Sequence, residues 1–319
     1  MAENSDLTKF QNAPLSTGVS KQQLTIGLFD SGVGGLSVLS RLAACAVPAR
    51  YIYFADTGRC PYGNRDAAEI GQFVEEIVGF LSDFKIDALV MACNTSAALA
   101  RGHAEAAVGS SVKLYDLIAP TCKSLSRSRF SSIGVMATFG TVNSQAFSKG
   151  LLGFGYKGDI REVACPRLVP IIESGKLPEH NAICDLEGAL REYLTKLAGM
   201  EAIVLGCTHF PFVAPQIERL ISEDAQMAKL FPAGLTLIDP ATCLVDDIFP
   251  GLNEMAKSQP VDLSLPAFKY FTTGTVRDFE RTAVSCVGRI GGCREVSIAD
   301  ISNYHLKPLD RFNAFSVVL

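Results

Sequence analysis

The chain is 319 residues long, 48% hydrophobic and 19% charged, with 29 basic residues against 33 acidic ones and a net charge of −4. No basic block or Arg/Lys stripe runs through it, which disfavours nucleic acid as the main ligand, and no stretch of about 18 apolar residues offers a membrane span. Ten cysteines lie scattered through apolar runs. No two are three apart, so there is no C-x-x-C signature for zinc or dithiol redox chemistry. The expectation is a reducing, cytoplasmic setting with free thiols and no metal.

Residues 1–23 are rich in Ser, Gln, Asn and Lys and lack a signal-type apolar core; they read as a flexible extension. Beyond them, strand-like apolar runs alternate with amphipathic helical ones. A strand over 24–29 leads into a helix over 34–42. A strand over 51–54 precedes a long helix over 66–84, in which Ile70, Phe73, Val74, Ile77, Val78 and Leu81 recur at helical spacing. A strand over 88–91, a helix over 96–108 and a strand over 112–115 follow. The theme then repeats, with strands over 133–136, 159–163 and 202–205 and helices over 142–151, 186–197 and about 214–220. The tail adds strands over 235–238 and 268–272 and one near 296, with helices over 242–248 and 276–287. Alternation of this kind predicts an α/β protein whose parallel sheets are covered on both faces. The expectation is two pseudo-symmetric doubly wound α/β domains with the active site at their interface. Residues 24–117 together with 234–319 form the first domain, and 118–233 the second.

The sequence also says one thing twice. Residues 88–97 run Ala-Leu-Val-Met-Ala-Cys-Asn-Thr-Ser-Ala, and residues 202–211 run Ala-Ile-Val-Leu-Gly-Cys-Thr-His-Phe-Pro. Each is a strand-like run that breaks into a small residue, a cysteine and polar side chains. The segments Ile26-Gly-Leu-Phe-Asp-Ser-Gly and Ile133-Gly-Val-Met-Ala-Thr-Phe-Gly echo each other in the same way. Two half-domains that each present one thiol, Cys93 and Cys207, suit a reaction that takes a proton from one face of a carbon and returns one to the other. Parallel sheets place ligands beyond the carboxyl ends of their strands, where Asp30, Tyr62, Cys93 and Cys207 all fall. A helix N-terminus beside either cysteine would stabilise a thiolate or a substrate carboxylate. Asn94, Thr95 and Thr208 add side-chain donors, and His209 is placed to orient or polarise the second thiol. Asp30 suits a substrate ammonium or a proton relay; Asp30-Ser31 also reads as a cap for the following helix. The run Gly32-Val-Gly34-Gly35-Leu-Ser37 is a poor dinucleotide loop, because its third glycine position is Ser37 and Asp30 would face a pyrophosphate. Its glycines suit a tight turn and close backbone approach to a small anion.

These segments resemble the glutamate racemases, within the wider aspartate/glutamate racemase group. The matching pieces are Phe29-Asp30-Ser31-Gly-Val-Gly-Gly-Leu36, Asp56-Thr-Gly-Arg-Cys-Pro61-Tyr62-Gly63, Ala92-Cys93-Asn94-Thr95 and Leu205-Gly-Cys207-Thr208-His209-Phe-Pro211. Weaker matches run from Cys165 to Glu173, over Ile238-Asp239-Pro240, and from Phe271 to Phe279. The resemblance implies that Cys93 and Cys207 are the two acid/base catalysts of a cofactor-independent reaction. It implies a glutamate pocket lined by Asp30, Ser31, Tyr62, Gly63, Asn94, Thr95, Thr208 and His209, with Glu173 assisting near the second thiol. It further implies a homodimer that supplies D-glutamate for peptidoglycan, and, for members with N-terminal extensions, activation by a UDP-muramyl-alanine precursor. Departures are Ser96 where alanine is usual, Phe210 where tyrosine is common, and Cys60 before Pro61. Readings that stay open are aspartate racemisation, maleate isomerisation or decarboxylation, a thiol-based metal or redox sensor, and a module that binds an amino acid without turning it over.

Overall fold

The computed structural model describes residues 24–45, 49–176, 179–232, 234–250 and 261–304; the expected extension over 1–23 lies outside them. The chain builds two all-parallel sheets. In the first, of six strands, β1 (Leu24–Asp30) lies between β2 (Ala49–Ala55) and β3 (Ala88–Met91), with β4 (Lys113–Asp116) beyond β3. Two strands from late in the chain, β9 (Phe268–Thr272) and β10 (Cys293–Glu295), extend the β2 edge. In the second sheet, β5 (Ser132–Ala137) lies between β6 (Asp159–Ala164) and β7 (Ala202–Gly206), with β8 (Thr236–Ile238) outermost. The order around β5 therefore copies the order around β1. Register copies it too: Phe29 pairs with Met91 and Met136 with Leu205, and each pairing stands two residues before a cysteine.

Burial on both faces explains why these strands read as continuous apolar runs. Leu28 packs with α1 (Leu36–Ala44) and the helix Val276–Val287 on one face, and Phe29 with α2 (Ala67–Ser82) and α3 (Asn94–Val108) on the other. Fully burying such side chains stabilises the fold by roughly 1.5–3 kcal/mol each. The α2–α3 core continues through α4 (Ile118–Ser126) and α6 (Ala146–Gly153) to Ile133, Val135 and Val204 of the second sheet, so one apolar cluster spans both lobes. The far face of the second sheet is covered by α7 (Leu168–Glu173), α8 (His180–Lys196) and α9 (Ala214–Glu223). The chain crosses between sheets after β4 and after β8. The helices that follow these crossings, α4 and α11 (Pro240–Ile248), are joined by an ion pair, Lys123 Nζ to Asp247 Oδ1 at 2.7 Å.

Most predicted elements stand within a residue or three of their expected ends, though α8 begins six residues before its expected start at 186 and a short helix over Ile298–Ile301 was not expected; other features differ more. The strand β8 pairs with β7, so the return to the first sheet comes after Ile238 rather than at 234. Helices α4 and α7 form where none was expected; each carries its proline, Pro120 and Pro170, at the third helical position, in the first turn, where the missing N–H is no loss. The short helix Ala225–Leu230 was likewise not anticipated. Finally, the single helix expected over 142–151 is two, α5 (Phe139–Ser144) and α6, broken at Gln145 with φ 56° and ψ 29°. A Cβ in this left-handed region crowds the following carbonyl. Gln145→Gly is expected to stabilise the protein by about 0.5–1 kcal/mol, the relief of that crowding exceeding the entropy cost of glycine. A urea titration would show a higher midpoint at unchanged slope; a lower midpoint would overturn the assignment of strain.

Candidate active site

The carboxyl ends of β1, β3, β5 and β7 face one another across the gap between the sheets, and the polar residues gather there. Asp30 ends β1 and is fully buried. Cys93, two residues past β3, is the N-cap of α3 in extended conformation, with φ −129° and ψ 116°. The first turn of that helix opens beside its thiol, and the Ser96 N–H reaches it. Cys207 follows β7 directly, and its carbonyl accepts the Phe210 N–H at 2.9 Å to start a tight turn. Both thiols are buried and unbridged.

Cys207 sits at the head of a relay. Its Sγ lies 3.7 Å from His209 Nδ1, and His209 Nε2 lies 2.6 Å from Glu173 Oε1. The same Glu173 oxygen accepts the Val33 N–H from the first lobe at 2.9 Å. Asp30 Oδ1 accepts the Gly32 N–H at 2.7 Å, and its Oδ2 accepts the Thr208 hydroxyl at 2.9 Å. Ser37 donates to the Thr208 carbonyl at 3.0 Å. Burial works against a charged His209, yet Cys207 and Glu173 on its two nitrogens hold its pKa well above the ordinary histidine value. Burial also pushes the Asp30 carboxyl up, opposed by His209, the Gly32 N–H and the Thr208 hydroxyl.

On the facing side, burial and then the Asp30 charge push the Cys93 thiol up to about 11, against donors from Ser96. The charge of Cys207 reaches it as well. Asn94, next to it, is buried with neither its amide oxygen nor its amide nitrogen hydrogen-bonded. An unmet buried amide costs about 1–3 kcal/mol, which a polar ligand would recover. Thr95 Oγ1 is 2.9 Å from Thr138 Oγ1, which is 3.1 Å from Thr141 Oγ1. This run of hydroxyls joins the start of α3 to the start of α5 across the lobes.

Glycines set how close the lobes come. A Cβ on Gly34 would lie 2.4 Å from His209 Nδ1, and one on Gly32 2.0 Å from Glu173 Oε1. The loop therefore serves as a bare backbone against the relay. It is not a nucleotide cradle, because its N–H groups at Gly32 and Val33 are already taken by carboxylates.

Of the residues singled out in the sequence, Asp30, Glu173, Cys207, Thr208 and His209 form one connected network, and Cys93, Asn94 and Thr95 stand opposite. Ser31 is buried at the same loop and its hydroxyl serves the Cys60 thiol. Tyr62 is buried too, but its hydroxyl donates to Asp56, and Gly63 lies against Thr138. Sequence reasoning missed Thr138 and Thr141. The internal repeat carried the signal, since Thr138 stands where Ser31 stands in the first copy.

The profile of the Asp/Glu/Hydantoin racemase family matches residues 31–248. A glutamate racemase of Gloeobacter violaceus is 37% identical over 231 residues, covering 72% of this chain and 81% of that one. One from Desulforudis audaxviator is 34% identical, covering 83% and 94%. Among solved structures, a glutamate racemase from Bacillus anthracis superposes with a TM-score of 0.72 at 29% identity, over 88% of this chain and 99% of that one. The Francisella tularensis glutamate racemase in complex with D-glutamate gives 0.71 at 25% identity, over 87% and 98%. With paired thiols at matching strand ends and these relatives along most of its length, the chain belongs to the glutamate racemases of the Asp/Glu racemase family, isomerases that act on glutamate.

Proposed function

We propose that the chain interconverts L- and D-glutamate by a two-base proton transfer that needs no cofactor, and that it supplies D-glutamate for peptidoglycan synthesis in the cytoplasm. The observation that carries this reading is the difference between two thiols at equivalent strand ends. One stands beside an imidazole whose pKa is held well above the ordinary value by Cys207 itself and by Glu173, and the other is a high-pKa thiol beside an unmet amide. A racemase needs that pair, a base on one face and an acid on the other.

In the L to D direction, the Cys207 thiolate takes the α-proton and becomes a thiol, with imidazolium His209 as its counter-ion beforehand. The electron pair left on the α-carbon spreads into the substrate carboxylate. Preorganised donors at the first turn of α3, with Asn94, Thr95 and Thr138, hold that charge. Cys93 then gives its S–H proton to the opposite face and is left as a thiolate, ready for the reverse passage. Asp30, a buried carboxyl hydrogen-bonded to Thr208, is suited to the substrate ammonium, whose charge would offset the cost of burying the carboxylate. The tight glycine contacts between lobes keep out the water that would quench the carbanion.

Circular dichroism of enantiopure D-glutamate with the purified protein and no added cofactor is expected to decay to zero; a persistent signal from folded, reduced protein would sink the reading. Cys93→Ser and Cys207→Ser are each expected to lower racemisation by about a hundredfold or more with the far-ultraviolet spectrum unchanged. Near wild-type turnover in either variant would refute the two-base assignment. The relay also makes a pH prediction. His209 is held charged above its ordinary pKa, so kcat/KM for L-glutamate should fall as pH rises through that raised value. Glu173→Gln removes one cause of the rise, and the alkaline limb should then move to lower pH; an unmoved limb would exclude Glu173 as the tuner.

A further inference from the structure

Behind the pocket lies a second polar cluster that the proton transfer does not use. Asp56, just past β2, is fully buried. Its Oδ2 accepts Arg59 Nε at 2.7 Å and also the Tyr62 hydroxyl, and its Oδ1 accepts the Thr273 hydroxyl at 2.6 Å. Arg59 extends Nη1 to Glu76 Oε2 on α2 at 2.5 Å, and the other Glu76 oxygen accepts Gln72 Nε2 at 3.0 Å. The guanidinium lies 4.0 Å from the ring centre of Phe73. Arg59 and Glu76, like Asp56, are buried.

Stability alone does not account for three buried charges. Removing ions from water costs several kcal/mol each, and well-packed apolar residues of similar volume serve a core as well or better. A charged cluster does, however, fix geometry, since a forked guanidinium holds two carboxylates in set directions. What it fixes here is the loop Asp56–Arg65. One end is clamped to the end of β9, by Thr57 Oγ1 2.6 Å from Thr272 Oγ1 and by the Gly58 N–H on Thr273 Oγ1 at 3.0 Å. The loop closes on itself through Arg65 Nε and the Arg59 carbonyl at 2.9 Å. Its outer turn meets the second lobe, where a Cβ on Gly63 would fall 2.8 Å from Thr138 Cβ. Thr138 is bonded in turn to Thr95, two residues past Cys93.

We propose that Arg59 is a positioning residue for the substrate pocket. Paired with Asp56 and Glu76, it sets the Tyr62–Gly63 turn against α5 at the depth where the pocket closes on the substrate dicarboxylate. This rests on the glutamate reading above. Arg59 touches neither thiol, so its loss should weaken binding rather than the proton transfer. A lysine, with one ammonium in place of the fork, cannot hold both carboxylates in the same geometry.

Steady-state racemisation of both enantiomers would be compared for wild type, Arg59→Met, Arg59→Lys, Glu76→Gln and Tyr62→Phe. Arg59→Met is expected to raise KM about tenfold or more, with kcat changed less than about threefold, and Arg59→Lys to recover part of the loss. Because enantiomers have equal free energy in water, kcat/KM should fall by the same factor in both directions. Tyr62→Phe deletes one hydroxyl and keeps the ring on Phe73, so it carries the test if the Arg59 variants fail to fold; it too should raise KM. Unchanged KM in the folded variants, or a loss confined to kcat, would overturn the inference while leaving the racemase reading intact. A wild type inactive on glutamate would remove both.

Discussion

One oxygen of Glu173 holds the site together. It receives the Val33 N–H from the first lobe at 2.9 Å and faces His209 Nε2 from the second at 2.6 Å, so a single acceptor both joins the lobes and, with Cys207, holds the imidazole's pKa up. Neither contact would form if Gly32 carried a side chain, because its Cβ would fall almost on that carboxylate. Electrostatics and packing are thus one arrangement at this point. Separating the lobes there would break the Val33 contact and leave Cys207, His209 and Glu173 together on the second lobe.

The two halves share strand order and register, and they differ where chemistry needs them to. Asp30 ends β1, whereas Ala137 ends β5. Thr95 stands two residues after Cys93, and His209 two residues after Cys207. A symmetric site would give its thiols the same neighbours, and these two have different ones. Burial and the Asp30 charge keep Cys93 a thiol at neutral pH, and the imidazolium gives Cys207 a partner for negative charge. The repeat supplies two opposed positions, and the departures from it give the two thiols different surroundings.

Much of this was legible in the chain itself. Strands buried on both faces show as unbroken apolar runs, and the repeated run before each cysteine marked both thiols and the ends of β3 and β7. The parts that were not legible have local reasons. Gln145 breaks a helix by taking a left-handed conformation that glutamine does not advertise. The three residues of β8 carry no mark of which sheet they will join. Thr138, Thr141 and the Arg59 cluster matter through partners distant in the chain, such as Thr95, Glu76 and Thr273, and no spacing rule connects them. Tyr62 stood out as a pocket residue, but only the fold assigns its hydroxyl to Asp56.

The two crossings between lobes run through α4 and α11, which the Lys123–Asp247 pair ties together. Two adjoining straps fastened to each other resist twist and slide far more than they resist bending. A rotation of the lobes about these straps is the movement that this pair would hinder least. Cys93 and Cys207 lie across the gap that such a rotation would open, so they separate along one shared arc. Any such opening would expose both thiols by the same movement.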